Sequence, residues 1–165
     1  MENVDKAVEV EPYQLRTNGL EQIKIDNFKK DNPEEDFPNY IELDSQSCAV
    51  IRASISEELG VDKSSTGLEL VNAVATRTQT YTSTSCRDSD FNLKRVLSFH
   101  ELTESESVFI NWHRFDEIDQ IPLADLTKHF DDIWYSDVDD IDIFNDKLMW
   151  ILSISHFGKI DVLKF

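Results

Sequence analysis

Three apolar segments near the C-terminus, closely spaced and separated by turn residues, restrict what this chain can fold into. Residues 139–144 alternate Ile141 and Ile143 with Asp140 and Asp142. Residues 148–156 place Leu148, Trp150, Leu152 and Ile154 on one face, and 159–165 carry Ile160, Val162 and Leu163. A period of two marks strands, because successive strand side chains point to opposite faces. Asn145-Asp146 and Phe157-Gly158 supply turns between them. Connections this short favour antiparallel pairing. Met149 and Ile151 oppose the Trp150 face, so the middle segment predicts a central strand covered on both sides.

Upstream, the pattern changes to helix. Cys48, Ile51, Ile55 and Leu59 recur at three and four, predicting a helix over 45–59. Asp44 or Ser45 can cap its start, and Gly60 stands where a left-handed terminal residue is wanted. Val61 is expected to fold back on Ile55. Thr66-Gly67-Leu68-Glu69 has capping-box spacing and predicts a second helix over about 67–78. Its stripe reads as Leu68, Val71 and Ala75, with Leu70 and Val74 beside it. A short loop between the two predicts an antiparallel pair.

Residues 76–86, rich in Thr and Ser, fit strand or loop, and 91–99 fit strand or a helix capped by Ser89 or Asp90. Val108 to Trp112 predicts a strand, and Pro122 opens a helix with Leu123, Leu126, Phe130, Ile133 and Trp134 on its apolar face. Near the N-terminus, Ile23 and Ile25 alternate as an edge strand, and 31–38, with two prolines and four acids, is a loop. The expected fold is α+β: N-terminal helices packed with a mainly antiparallel C-terminal β-sheet. A chain of 165 residues is expected to be a single domain, 1–165, with residues 1–15 a candidate for disorder.

Charge bears on function more than any motif does. The chain holds 33 acids against 16 bases, a net charge of −17. That disfavours nucleic acid and anionic membranes as partners, since both are met with Lys and Arg. No stretch approaches the length of a membrane span, and Met1 to Asp5 lacks the basic and apolar regions of a signal peptide. Cys48 and Cys86 have no metal or redox spacing and read as free thiols in a reducing compartment. The cytoplasm is the expected location.

The acids are densest between Asp131 and Asp146, where seven aspartates occur without a lysine or arginine. Asp137-Val138-Asp139-Asp140-Ile141-Asp142 resembles a calcium loop only superficially. From Asp137, the fifth position is Ile141, the sixth is Asp142 where glycine is needed, and the twelfth is Leu148. The four histidines form no zinc spacing, and there is no nucleophile elbow. Four glycines, at 19, 60, 67 and 158, cannot build a phosphate loop. No catalytic residue, metal or cofactor is therefore assigned. A cysteine–histidine pair assembled in space around Cys86 stays open. His113-Arg114-Phe115-Asp116 is the strongest alternative: a small enzyme site, or, more plainly, Arg114 paired with a nearby carboxylate.

Phe130 to Tyr135, Asp139 to Phe144 and Trp150 to Gly158 together resemble the C-terminal pattern of small bacterial immunity proteins. These accompany polymorphic or contact-dependent-inhibition toxins. The resemblance covers part of the C-terminal third and implies no particular fold. It implies stoichiometric, non-catalytic neutralisation of a cognate toxin, many of which are nucleases with basic clefts. An acidic surface suits such a partner and speeds its association. Asp131, Asp132, Tyr135, Asp137, Asp139, Asp140 and Asp142 are the candidate partner-binding residues. Trp134 lies on the apolar stripe and is expected in the core, which leaves Tyr135 as the aromatic at the surface. An acidic DNA mimic is a further alternative, and would present its carboxylates as a long ridge.

Overall fold

A computed structural model describes residues 19–81, 84–102 and 105–165. The disorder expected for residues 1–15 falls outside the described residues. Six helices and seven strands are present among the described residues. The strands form one sheet in the order β1-β4-β3-β5-β6-β7-β2, antiparallel at every pairing. The α+β expectation holds, with the helices mostly in the N-terminal half.

The last three strands follow the sequence pattern closely. β5 (Ile141–Phe144), β6 (Trp150–Ile154) and β7 (Ile160–Lys164) pair in series. Trp150, Leu152 and Ile154 enter one core while Ile151 enters the other. The sheet therefore has helices on both faces. On the first face, α4 (Leu93–Phe99), α5 (Leu123–Lys128) and α6 (Phe130–Ile133) cover Val108, Ile110, Ile143 and Leu152. On the second, α2 (Ser45–Leu59) and α3 (Gly67–Arg77) cover Ile118, Phe144 and Ile151. The central strands are apolar on two sides because each side has its own helical layer.

The helix ends behave as their capping chemistry requires. The Asp44 carboxylate accepts from Ser47 N, and Gly60 terminates α2 at φ 63°. Val61 N reaches back to Ser56 O, closing the turn. Thr66 and Glu69 form a reciprocal capping box on α3. The stripe of α3 is rotated from the expected one. Leu70 and Val74 are its buried residues, while Leu68 and Ala75 are exposed. Leu68 and Ala75 instead line an open space beside the core, and Val71 is partly buried against that core.

Other elements depart from the pattern for local reasons. The Ile23–Ile25 alternation belongs to a helix, α1 (Gln22–Asp31), whose buried residues are Lys24 and Phe28, four apart. Ile23 is largely exposed, so the two isoleucines mark a helix flank and not a strand face. Pro122 closes β4 (Glu117–Pro122), a strand not anticipated, and the helix begins at Leu123. That helix breaks at His129 and resumes as α6, so the expected single helix is two short ones on the same buried stripe. Residues 93–99 are helical, capped by Asn92 and not by Ser89 or Asp90. Met149 precedes β6 and is exposed. Two short edge strands, β1 (Ile41–Glu42) and β2 (Gln79–Tyr81), come from the helical half, too short to show a period. Short edges limit unwanted strand addition.

β3 (Ser107–His113) turns into β4 through Arg114 and Phe115, both at positive φ, with Asp116 N bonded to His113 O. Two successive left-handed residues make the hairpin turn whose twist matches its strands. Phe115 bears that conformation because its ring is fully buried in the second core, and Asn111 Oδ1 accepts its N–H at 2.7 Å. The start of α3 packs on this turn. A Cβ at Gly67 would stand 2.7 Å from the Arg114 Cβ and closer still to its carbonyl oxygen. Gly67→Ala should therefore destabilise the fold by about 1–3 kcal/mol, although alanine at an open helix position stabilises by up to ~1 kcal/mol. Urea unfolding midpoints measure this, and a raised midpoint would contradict the packing described.

Candidate functional site

The seven aspartates of the acidic run divide into internal and external groups. Asp139 is internal, with its side chain only 11 % exposed. One of its carboxylate oxygens receives both Lys24 Nζ, at 2.5 Å, and Tyr135 N, at 2.8 Å. Lys24 also donates to Ile133 O and lies 4.3 Å from the Trp112 ring centre and 4.9 Å from that of Tyr135. Burial pulls the Lys24 ammonium below its usual pKa, while the Asp139 hydrogen bond and the charges of Asp139, Glu21 and Asp119 oppose that shift. Trp134, buried as expected, donates its indole N–H to Asp139 O. Tyr135 is half-buried, with Asn27 Nδ2 3.3 Å from its hydroxyl. It is part of this internal cluster more than a free surface aromatic.

Asp142 is internal too. Asn111 Nδ2 donates to one oxygen at 2.9 Å and Ser153 Oγ to the other at 2.5 Å. Burial pushes its carboxyl above the ordinary carboxylate range, against those two hydrogen bonds. Asp132 is shifted the same way by burial, with His129 Nδ1 3.7 Å from its carboxylate.

Asp131, Asp137, Asp140 and Asp146 are exposed. Asp137 pairs with Arg87. Asp140 accepts from His156 N at 2.8 Å and lies 2.9 Å from its Nδ1. Asp137 N bonds His156 O, so residues 137–140 lie along the β6–β7 turn. That contact sets two exposed apolar side chains in adjoining loops: Val138, 71 % exposed, and Phe157, 65 % exposed. Asp131, Tyr135 and Val138 also line an open groove of about 660 Å³ with Cys86, Asp88 and Phe91. The Cys86 thiol is buried and pushed up to about 12, chiefly by desolvation, so it is protonated and unreactive near neutral pH.

The alternative site at the β3–β4 turn comes together only partly. His113 and Arg114 line a cavity of about 360 Å³ that also includes Asp140 and Asp142. Asp116 does not line it. It pairs with Arg52 of α2, which also donates to Phe115 O at 3.3 Å. Among the described residues no group of three or more His, Cys, Asp or Glu is placed to hold a metal ion. Among the same residues no helix is long and apolar enough to cross a membrane.

Sequence reasoning missed Asn111, Ser153 and Asp161, which line that cavity with Asp142. A signal was present. Ile110-Asn111-Trp112, Ile141-Asp142-Ile143, Leu152-Ser153-Ile154 and Ile160-Asp161-Val162 each set one polar residue between two large apolar ones. No protein-family model, curated protein or solved structure matches this chain.

The division of the run has measurable consequences. Asp139→Asn leaves Lys24 buried without its counter-charge and should cost about 3–5 kcal/mol, whereas Asp131→Asn should stay within about 0.5 kcal/mol. Equal unfolding midpoints for the two variants would contradict the assignment. Asp142 has a folded-state pKa above its unfolded value. Its stabilising contribution is complete below the unfolded pKa of 3.8 and is lost as pH rises through the raised folded value. Asp142→Asn removes that titration, so the variant should gain on the parent protein as pH rises from 3.8 through the raised folded value. A stability difference that stays constant over that interval counts against a desolvated Asp142.

Proposed function

We propose that this chain is a non-catalytic binding protein of the immunity type, neutralising a toxin through an acidic surface. The observation that carries the reading is the arrangement of Val138 and Phe157, exposed in hydrogen-bonded loops and flanked by Asp137 and Asp140. An apolar centre with a charged rim is the anatomy of a protein interface. Large aromatics at such centres carry much of the binding energy. Phe157 takes the anchoring role that the sequence assigned to Tyr135. Asp137 and Asp140 have internal partners, but their side chains are 66 % and 67 % exposed. Ion pairs at that exposure contribute little to stability, so these carboxylates can turn to a new cation. The net charge of −17 then steers a basic partner. Two exposed apolar side chains in adjoining loops favour a protein partner over duplex mimicry.

The test is to co-express the chain with the product of a neighbouring toxin reading frame and to measure binding. Protection of the host and a tight one-to-one complex are expected. The association rate should fall steeply with ionic strength. Phe157→Ala should raise Kd at least tenfold through faster dissociation, and the combined Asp131→Asn, Asp137→Asn and Asp140→Asn variant should mainly slow association. An association rate indifferent to salt, together with unaltered binding by these variants, would remove this surface from the account.

A further inference from the structure

Arg77 and Lys164 gather at the β2 edge of the sheet. Gln79 pairs with Val162. Arg77 stands two residues before Gln79 and Lys164 two after Val162, so both lie one register step past the end of the β2–β7 ladder. Both are exposed, and both line an open cavity of about 380 Å³. Among the described residues no acid lines that cavity, and neither cation has a salt-bridge partner. The chain holds 33 acids against 16 bases, so such a pairing of free cations runs against its composition. Arg77 occupies the last turn of α3, where a cation suits the C-terminal carbonyls. Lys164 belongs to a strand and has no such role. Like charges gathered at one place cost stability, and two exposed side chains recover nothing through packing.

The rest of the cavity comes from one face of the sheet and the end of α4. Strand residues alternate in facing, so Gln79 shares a face with Tyr81, and Lys164 shares one with Val162. That face is the one that carries the first core. His100 ends α4 over it, with its ring centre 4.9 Å from that of Tyr81 and edge-on to it. Burial lowers the His100 pKa, and the Lys164 charge lowers it further, so the Lys164 ammonium stands near the end of α4. Beside the cavity Phe99 is 68 % exposed, its ring centre 5.3 Å from Tyr81 and 5.0 Å from His100. Gln79 is exposed, and among the described residues its amide makes no hydrogen bond. Two cations and an amide donor, all reached by solvent, thus stand next to an aromatic ledge.

We propose that this cavity binds a phosphate monoester carried on a planar ring. A phosphoryl group brings a charge of about −1.5 to −2 and three acceptor oxygens. The Arg77 guanidinium, the Lys164 ammonium and the Gln79 amide supply donors to match. A guanidinium can hold two phosphate oxygens at once. The ring would lie against Tyr81 and Phe99. The volume is at the small end of ligand sites, which run from roughly 300 to 1,000 Å³, and suits one phosphoryl group with one ring. The net charge of −17 does not forbid an anion here. At physiological ionic strength charges beyond about 8 Å are largely screened, whereas cations in contact with the ligand are not. The chemistry has two sources, a free mononucleotide or a phosphotyrosine side chain of a protein. The inference does not depend on the surface around Val138 and Phe157.

The experiment titrates the full chain with phenyl phosphate and with inorganic phosphate, following backbone and Gln side-chain amide resonances by NMR. Saturable shifts centred on Gln79, Tyr81 and Lys164 are expected, with phenyl phosphate the tighter probe. Arg77→Gln and Lys164→Gln should each weaken both probes about tenfold or more, since each removes a hydrogen bond to a charged group. Phe99→Ala should erase the preference for phenyl phosphate and leave inorganic phosphate binding unchanged. Lys63 precedes the start of α3, at the end opposite Arg77. Lys63→Gln removes the same charge there and should change neither affinity. All four side chains are exposed, so the variants keep the fold, and unaltered urea midpoints verify it. Tighter binding of adenosine monophosphate than of N-acetyl-phosphotyrosine methylamide identifies a free mononucleotide as the source; the reverse order identifies a protein side chain. Absence of saturation with phenyl phosphate, equal affinity for the two first probes, or equal weakening by Lys63→Gln and Arg77→Gln, as general charge alone would give, overturns the proposal.

Discussion

The structure depends on a buried ion pair, Lys24 with Asp139. Lys24 comes from α1 and Asp139 from the segment that leads into β5, 115 residues apart. Around them stand Trp112, Trp134, Tyr135 and the Ile133 carbonyl. Asp119 is fully buried nearby, receiving Trp112 Nε1 at 2.9 Å and Leu20 N at 3.2 Å. Desolvating an ammonium and its carboxylates costs several kcal/mol per ion before pairing. Only a cluster whose hydrogen bonds are largely made can repay it. That requirement fixes the entry of α1, the end of α6 and the path of residues 134–140 together. The acidic loop is held in shape by its own buried member.

This division sorts the acidic run by physical role. Asp139 and Asp142 face inward, where they hold the cation of α1 and a polar row of the sheet. Asp131, Asp137 and Asp140 face outward, Asp137 and Asp140 in the loop that carries Val138. Alternation accounts for much of the sorting. Ile141 and Ile143 point into the first core, so Asp142 must point into the opposite face, under α3. Asp140 falls on the same side one register further, at the cavity beside α3, and is largely exposed to solvent. A row of like charges thus becomes, on folding, a core element, a cavity floor and a surface rim.

The sequence was most legible where one physical signal acted alone. The period of two in β5 to β7, the Asp44 cap, Gly60 and the Thr66–Glu69 box all appear where their chemistry places them, because each acts within a few residues. It was least legible where distant partners decide. Ile23 and Ile25 read as a strand until Lys24 is known to reach Asp139 and Phe28 to meet Phe37 and His129. β4 was missed because its apolar residues, Ile118 and Ile121, break alternation around Asp119, whose partner Trp112 lies on the adjacent strand. Tyr135 looked like an anchor because nothing local reveals the lysine lying over its ring. The candidate site was half legible: its acids were visible, but their division and the two exposed apolar residues required the loops to be brought together.

The central claim is that the acidic segment is held in place by Lys24 and Asp139 acting as a unit. A double-mutant cycle with Lys24→Met and Asp139→Leu, read by urea unfolding, addresses it most directly. Each single substitution leaves a buried charge unpaired and should cost about 3–5 kcal/mol. The double variant, with both charges gone, should be far more stable than the sum of the singles implies, with a coupling energy of about 2 kcal/mol or more. Additive effects, with coupling below about 0.5 kcal/mol, would show that the two residues act independently and would contradict the account.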